Sequence, residues 1–245
     1  MIISSPVTER SEFILGGRRC LVWGHSAPEA LLVEPIDERD IDFIGRELDY
    51  LTTNSDRPFA LAAFIVGDWN AELSPWRADP VFGKEAFGDG AGKTLRFVEK
   101  TLIPEIRSRI PALSGKETIL GGYSLAALFA LWAGYESEAF SGIAAASPSV
   151  WFPGWMDYVK GRRPSAERIY LSLGDQESRT RNRVMATVGN CISEYSGILL
   201  AQGVENTLEW NSGNHFRDAD LRTAKAFRWC LDSAKMAEGR QRTGI

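Results

Sequence analysis

The sequence predicts an α/β protein, with a mainly parallel central sheet covered by helices on both faces, and three observations carry that prediction. Short apolar runs alternate with longer segments of helical period, the pattern that strand–helix–strand units leave in a sequence. Several runs are apolar throughout, as strands are when both faces are covered; a half-exposed strand alternates with polar residues. The 245 residues, 44% apolar and 24% charged, can bury about three quarters of their unfolded surface. No Pro/Gly/Ser-rich stretch divides them, so residues 1–245 read as one domain.

The strand candidates are 30–33, 59–66, 118–123, 141–146, 169–173 and 207–210. Between them, Ile41, Ile44, Leu48 and Leu51 recur at helical spacing, as do Val184, Val188, Cys191, Tyr195 and Leu199. A third stripe, Leu95, Val98, Leu102 and Ile106, contains Pro104, which removes a backbone donor and is expected to kink or break that helix. Leu221, Ala224, Phe227 and Leu231 predict a closing helix, with residues 238–245 as its frayed end. Residues 67–92 lack a period but carry Trp69, Trp76, Phe82 and Phe87, too many large aromatics for disorder, so an ordered loop near the functional site is expected.

Charge and cysteine content narrow the function classes. With 28 basic against 32 acidic residues, the net charge of −4 supplies no field to attract nucleic acid. Residues 1–15 carry Glu9, Arg10 and Glu12 where a secretory leader needs an unbroken apolar run, and no run has membrane-spanning length, so a cytoplasmic protein without a membrane partner is expected. Cys20, Cys191 and Cys230 are widely spaced and read as reduced core residues. Two distant histidines and scattered cysteines supply no metal-ligand cluster. Gly92-Lys93-Thr94 resembles the end of a phosphate-binding loop, but Phe87 stands where that loop needs glycine, and no cofactor is expected.

The chemistry concentrates at three strand ends. The strand at 118–123 runs through Gly121-Gly122-Tyr123-Ser124-Leu125-Ala126 directly into an Ala/Leu-rich helix. A serine on so sharp a turn needs very small residues two positions either side, here Gly122 and Ala126, and this arrangement is the nucleophile elbow of the α/β-hydrolase fold. That fold supplies nucleophile, acid and histidine in chain order. After the strand at 169–173 comes Gly174-Asp175-Gln176-Glu177; either carboxylate could orient a histidine or serve only as a helix N-cap. Glu177 is preferred as the acid because it lies further beyond the strand end, with Asp175 as the alternative. After the strand at 207–210, a Gly/Asn-rich loop presents His215. The other histidine, His25, precedes the nucleophile and reads as structural. Serine is a weak nucleophile, so His215 would accept its proton while the carboxylate holds the imidazole tautomer. Oxyanion donors are expected from the N–H of Leu125 and from the loop after the strand at 59–66, at Asp68 or Trp69.

Gly121 to Ser124, Ala146-Ser147-Pro148-Ser149-Val150-Trp151 and Gly213-Asn214-His215-Phe216 resemble the putative-esterase family, which includes esterase D, the ferric-siderophore trilactone esterases and mycolyl transferases. The resemblance spans roughly residue 59 to the final helix. It implies Ser124 as nucleophile, His215 as base and Glu177 as acid, with water as the default acyl acceptor and a small-molecule ester as substrate. Acyl transfer to another acceptor and a non-catalytic ligand-binding module on the same scaffold are the alternatives.

Loops beyond the carboxyl ends of the strands are expected to bring Trp69, Trp76, Trp151 and Tyr123 around Ser124 as an aromatic pocket for bulky acyl groups. Trp155 fits pocket or core equally. Arg179, Arg181 and Arg183 follow the acid at an expected helix start, where positive charge is disfavoured, and could receive an anionic substrate group. The oligomeric state is left open.

Overall fold

The apolar runs pair into one eight-stranded sheet in the computed structural model, which describes residues 8–242. The strands are β1 (Thr8–Leu15), β2 (Arg18–Gly24), β3 (Ala30–Ile36), β4 (Phe59–Ile65), β5 (Glu117–Tyr123), β6 (Gly142–Ala146), β7 (Arg168–Gly174) and β8 (Glu205–Asn211). Their order is β1-β2-β4-β3-β5-β6-β7-β8. β1 and β2 are antiparallel, and β3 to β8 run parallel.

All six expected strands form, with bounds shifted by one to three residues at one or both ends. β1 and β2 add an antiparallel hairpin at the edge, which the sequence reading did not include. β1 is largely polar and the apolar run of β2 is only Cys20–Trp23, but Gly16 and Gly17 at φ +56 and +80 supply the left-handed pair that a two-residue hairpin turn requires. β3 continues past Val33 through Glu34 and Pro35. It pairs with β4 as far as Ile36, but with β5 only to Val33. Pro35 has no N–H for a ladder, and the crevice between β3 and β5 opens there.

The helices are α1 (Ile44–Asn54), α2 (Trp69–Leu73), α3 (Ala91–Phe97), α4 (Ile103–Arg109), α5 (Leu125–Glu136), α6 (Trp155–Val159), α7 (Val188–Ala201) and α8 (Ala219–Arg242). One face of the sheet packs against α3 to α7, the other against α1 and α8. Among the described residues no helix is long and apolar enough to cross a membrane. Pro104 does not break its helix: a wide turn over Val98–Leu102, with Ile103 N–H bonded to the Val98 carbonyl, puts Pro104 in the first turn of α4, where its missing donor leaves no gap in the ladder. Val184 is exposed and lies before α7. Residues 238–242 continue α8, and 243–245 lie outside the described residues. Cys20 and Cys230 are buried free thiols, whereas Cys191 is only partly buried and is no core residue.

Segment 67–92 is ordered, through α2, an Ala78–Phe87 bridge and a hydrogen bond from the Trp76 indole to the Pro153 carbonyl (2.8 Å). His25 is buried, with its Nδ1 accepting the Phe59 N–H at 3.2 Å, a tie between the ends of β2 and β4.

Candidate active site

Ser124 sits between β5 and α5 at φ 58, ψ −118, a conformation L-residues rarely adopt and one held here by its neighbours. Its N–H donates to the Ala146 carbonyl (3.1 Å), and its carbonyl accepts from the N–H groups of Leu128 and Ser149 (both 3.1 Å). A Cβ on Gly122, at φ +152, would lie 2.8 Å from the Ala126 Cβ. The requirement for small residues on both sides of the serine is therefore a packing fact of this turn.

The imidazole of His215 lies between Ser124 and Glu177. Its Nε2 is 2.9 Å from Ser124 Oγ, and its Nδ1 is 2.6 Å from Glu177 Oε2. A carboxylate opposite Nδ1 assigns the proton there and leaves Nε2 as the acceptor. The second Glu177 oxygen, Oε1, accepts from the Gly174 N–H (2.7 Å), the Ser147 hydroxyl (2.8 Å) and Arg222 Nη1 (2.9 Å). Burial pushes the Glu177 carboxyl up, but these donors and His215 outweigh it and hold it below the usual carboxylate range.

Arg222 is the residue the sequence reading missed. It is 2% exposed on the first turn of α8, and its Nη2 donates to the carbonyls of Ser212 (3.2 Å) and Asn214 (3.1 Å), on the loop that carries His215. One guanidinium thus joins Glu177 to the loop that carries His215. The Tyr123 hydroxyl donates to the His215 carbonyl at 2.7 Å; burial pushes its pKa up to about 12, so it remains a donor at neutral pH. Ser147, at φ 44, anchors Glu177, and Ser149 Oγ lies 3.3 Å from Ser124 Oγ. The Ser-Pro-Ser run therefore touches both Glu177 and Ser124. For Arg222 the available signal was an arginine directly after the histidine loop, among the buried positions of an otherwise apolar helix face.

Several expectations need correcting. Asp175 does not face the imidazole: its carboxylate accepts the Gly213 N–H (2.8 Å) and so braces the histidine loop. The Asp68 N–H is occupied by Glu72 Oε1 (2.9 Å), and the Asp68 side chain caps α2 at Ala71, which removes Asp68 as an oxyanion donor. Trp69 and Leu125 are the first residues of α2 and α5, where N–H groups have no intrahelical partner.

Ser124, His215, Tyr123 and Trp69 line a cleft of about 520 Å³ at the carboxyl ends of the strands. Trp151 and Trp76 do not line it. Trp151 is 8% exposed and packs edge-on against Phe82 and Phe87, while Trp76 ties the 67–92 segment to Phe152 and Tyr158. Trp155 is fully buried core. Arg179, Arg181 and Arg183 precede α7 in exposed turns and do not line the cleft, so no helix start explains them and they supply no charge to the cleft wall. The cleft is instead lined by acidic residues, Glu34, Asp40 and Glu47 from β3, α1 and the turn between them, and Asp218 and Asp220 after the His215 loop. Among the described residues no group of three or more His, Cys, Asp or Glu side chains is arranged to hold a metal ion.

A mainly parallel sheet with helices on both faces and a serine on a strand–helix elbow define an α/β-hydrolase fold. The chain belongs to the family described as Putative esterase, which matches residues 57–208, more than half of its length. Among solved structures it is similar to an IroE-like serine hydrolase from Shewanella oneidensis (15% identity, TM-score 0.72, covering 91% of this chain and 80% of that one). It is also similar to the siderophore hydrolase EstA from Aspergillus nidulans (18%, 0.67, 94% and 95%). The enterobactin esterase FES from Shigella flexneri is a third (15%, 0.65), with 94% of this chain covering 60% of that one. At these identities the likeness is one of fold. No curated protein sequence matches the chain.

Proposed function

We propose that the protein is a serine esterase that hydrolyses a small-molecule carboxylic ester through an acyl-enzyme on Ser124. The observation that carries this reading is the unbroken hydrogen-bond chain from Ser124 Oγ through His215 to Glu177, at 2.9 and 2.6 Å. As Oγ attacks the ester carbonyl, Nε2 takes its proton, and the imidazolium is stabilised by Glu177. The same proton then passes to the departing alkoxide. Water, deprotonated by Nε2, releases the acid and restores the serine. The N–H groups of Leu125 and Trp69 are the candidate oxyanion donors, each worth about 100- to 1,000-fold in turnover.

Membership of an esterase family and resemblance to structures named as hydrolases and esterases support the same reaction class. The continuous sheet supports treating the chain as one catalytic domain. The test is a panel of p-nitrophenyl esters of increasing acyl size, with wild type and Ser124→Ala prepared in parallel. Loss of about a thousandfold or more in kcat is expected, the scale of a missing triad nucleophile. Equal turnover by the two proteins would reject the serine mechanism.

A further inference from the structure

The two buried glutamates of the cleft have no role in ester hydrolysis as derived above. Glu34 lies on β3, just past the point where β3 leaves β5, and Glu47 lies on the core-facing side of α1. Each is only 3% exposed, and each has an Oε1 without a hydrogen-bond partner. Both line the same cleft as Ser124. Leaving such acceptors unmade costs free energy that packing alone does not return. Both carboxyls stand in the cleft wall, where a side-chain rotation would present an unpaired oxygen to a ligand that enters.

The surroundings state the sign of that ligand. Asp40, Asp218 and Asp220 also line the cleft, against one lysine or arginine among the described residues, Arg46. Arg46 is drawn off to Asp220, at 3.0 Å, and is more than half exposed, so it does not neutralise the buried pair. Phe43, Trp69 and Phe216 line the same cleft, and aromatic faces beside carboxylates suit an organic cation better than a hydrated metal ion. The unpaired oxygens call for N–H donors, which a protonated amine has.

We propose that the Glu34–Glu47 wall of the cleft binds a protonated amino group carried by the ester substrate, making the enzyme selective for amino-functionalised esters. This rests on the esterase reading only for the word substrate; the cation site itself does not require catalysis. Burial, reinforced by Asp40 for Glu34 and by Glu34 and Asp220 for Glu47, pushes both carboxyls up and so favours their protonated forms when the cleft is empty. Binding an ammonium group would therefore release a proton from the carboxyl to solvent, the carboxylate then accepting the ammonium N–H.

The experiment compares isosteres that differ by CH₃ for NH₃⁺, one pair for each side of the ester bond: p-nitrophenyl heptanoate against p-nitrophenyl 6-aminohexanoate, and heptyl butyrate against 6-aminohexyl butyrate. For one of the pairs, kcat/KM is expected to favour the amine by about tenfold to a hundredfold, the worth of a charge-assisted hydrogen bond. In Glu34→Gln/Glu47→Gln the ratio is expected to fall to about one. The ratio is the readout, so a general loss of folding or catalysis cancels. Calorimetry of hexylammonium binding, in buffers of different ionisation enthalpy, gives the second measurement. Binding with proton release is expected in wild type and not in the double variant. Equal or reversed ratios in wild type for both pairs overturn the amine preference and leave the esterase reading intact. Absence of turnover for all four esters, with hexylammonium still bound in a Glu34- and Glu47-dependent way, overturns the esterase reading and leaves the cation site. Absence of hexylammonium binding overturns the site.

Discussion

The two walls of the cleft treat their carboxylates in opposite ways. On the histidine side, Glu177 is surrounded by donors from Gly174, Ser147, Arg222 and His215, and its carboxyl is held below the usual range. On the other side, Glu34 and Glu47 are buried too, but among the described residues their Oε1 atoms lack donors; burial pushes Glu34 up to about 8 and Glu47 well above its ordinary value. Burial alone therefore does not decide the state of a carboxyl here. The donors around it do, and they assign one wall to fixed internal work and leave the other open to a ligand.

The pH linkage of the walls has opposite sign as well. Glu177, with a depressed folded value, contributes stability above the ordinary carboxylate range, which is lost as pH falls through the folded value. Glu34 and Glu47, with raised values, contribute fully below that range and progressively less as pH rises toward about 8 and beyond.

The strongest way to break this contrast is to remove the negative charge from the paired wall. Glu177→Gln keeps the volume but cannot stabilise an imidazolium, and kcat is expected to fall by about 1,000- to 10,000-fold in a stopped or continuous ester assay. A loss below tenfold would show that the acid is dispensable. Arg222→Met strands Glu177 Oε1 and two loop carbonyls, and urea denaturation is expected to report a loss of about 3–5 kcal/mol. An unchanged midpoint would mean that the guanidinium contributes nothing to holding the loop.

On the unpaired wall the sign reverses. Glu34→Gln removes a group that must give up a proton at high pH, so the variant is expected to gain stability over wild type at pH 9 and little at pH 5. Each unit by which the buried value is raised corresponds to about 1.4 kcal/mol. Parallel melting curves across that range check it, and a variant less stable than wild type at pH 9 would refute the raised value. The smallest effect is expected for Asp175→Asn. The amide oxygen can still accept the Gly213 N–H, so both kcat and stability should move by about 1 kcal/mol or less. A loss rivalling that of Glu177→Gln would exchange the two acids.

How much of this was legible in the chain differs from residue to residue. Apolar runs and glycine placement are local properties, and they located six of the eight strands, the elbow at Ser124 and the loop of His215. Glu47 at helical spacing from Ile44 and Leu51, and Glu34-Pro35 interrupting an apolar run, were visible as polar intrusions, but nothing in the sequence brought the two together. The tryptophans misled for the same reason. Trp69, Trp76 and Trp151 are equivalent as residue types, and only the path of segment 67–92 puts the first in the cleft and the others in the packing beneath it.

What the sequence by itself determined was the succession of the six strands from β3 to β8, the serine turn at Ser124 and the loop that presents His215, because each depends on spacing and local backbone demands. What only the tertiary structure decided was which of two neighbouring carboxylates faces His215, that Arg222 joins acid to loop, and that the cleft has an acidic wall. These depend on groups from β3, α1, β7 and α8 converging across the sheet, and the distance between side chains far apart in sequence is set by packing.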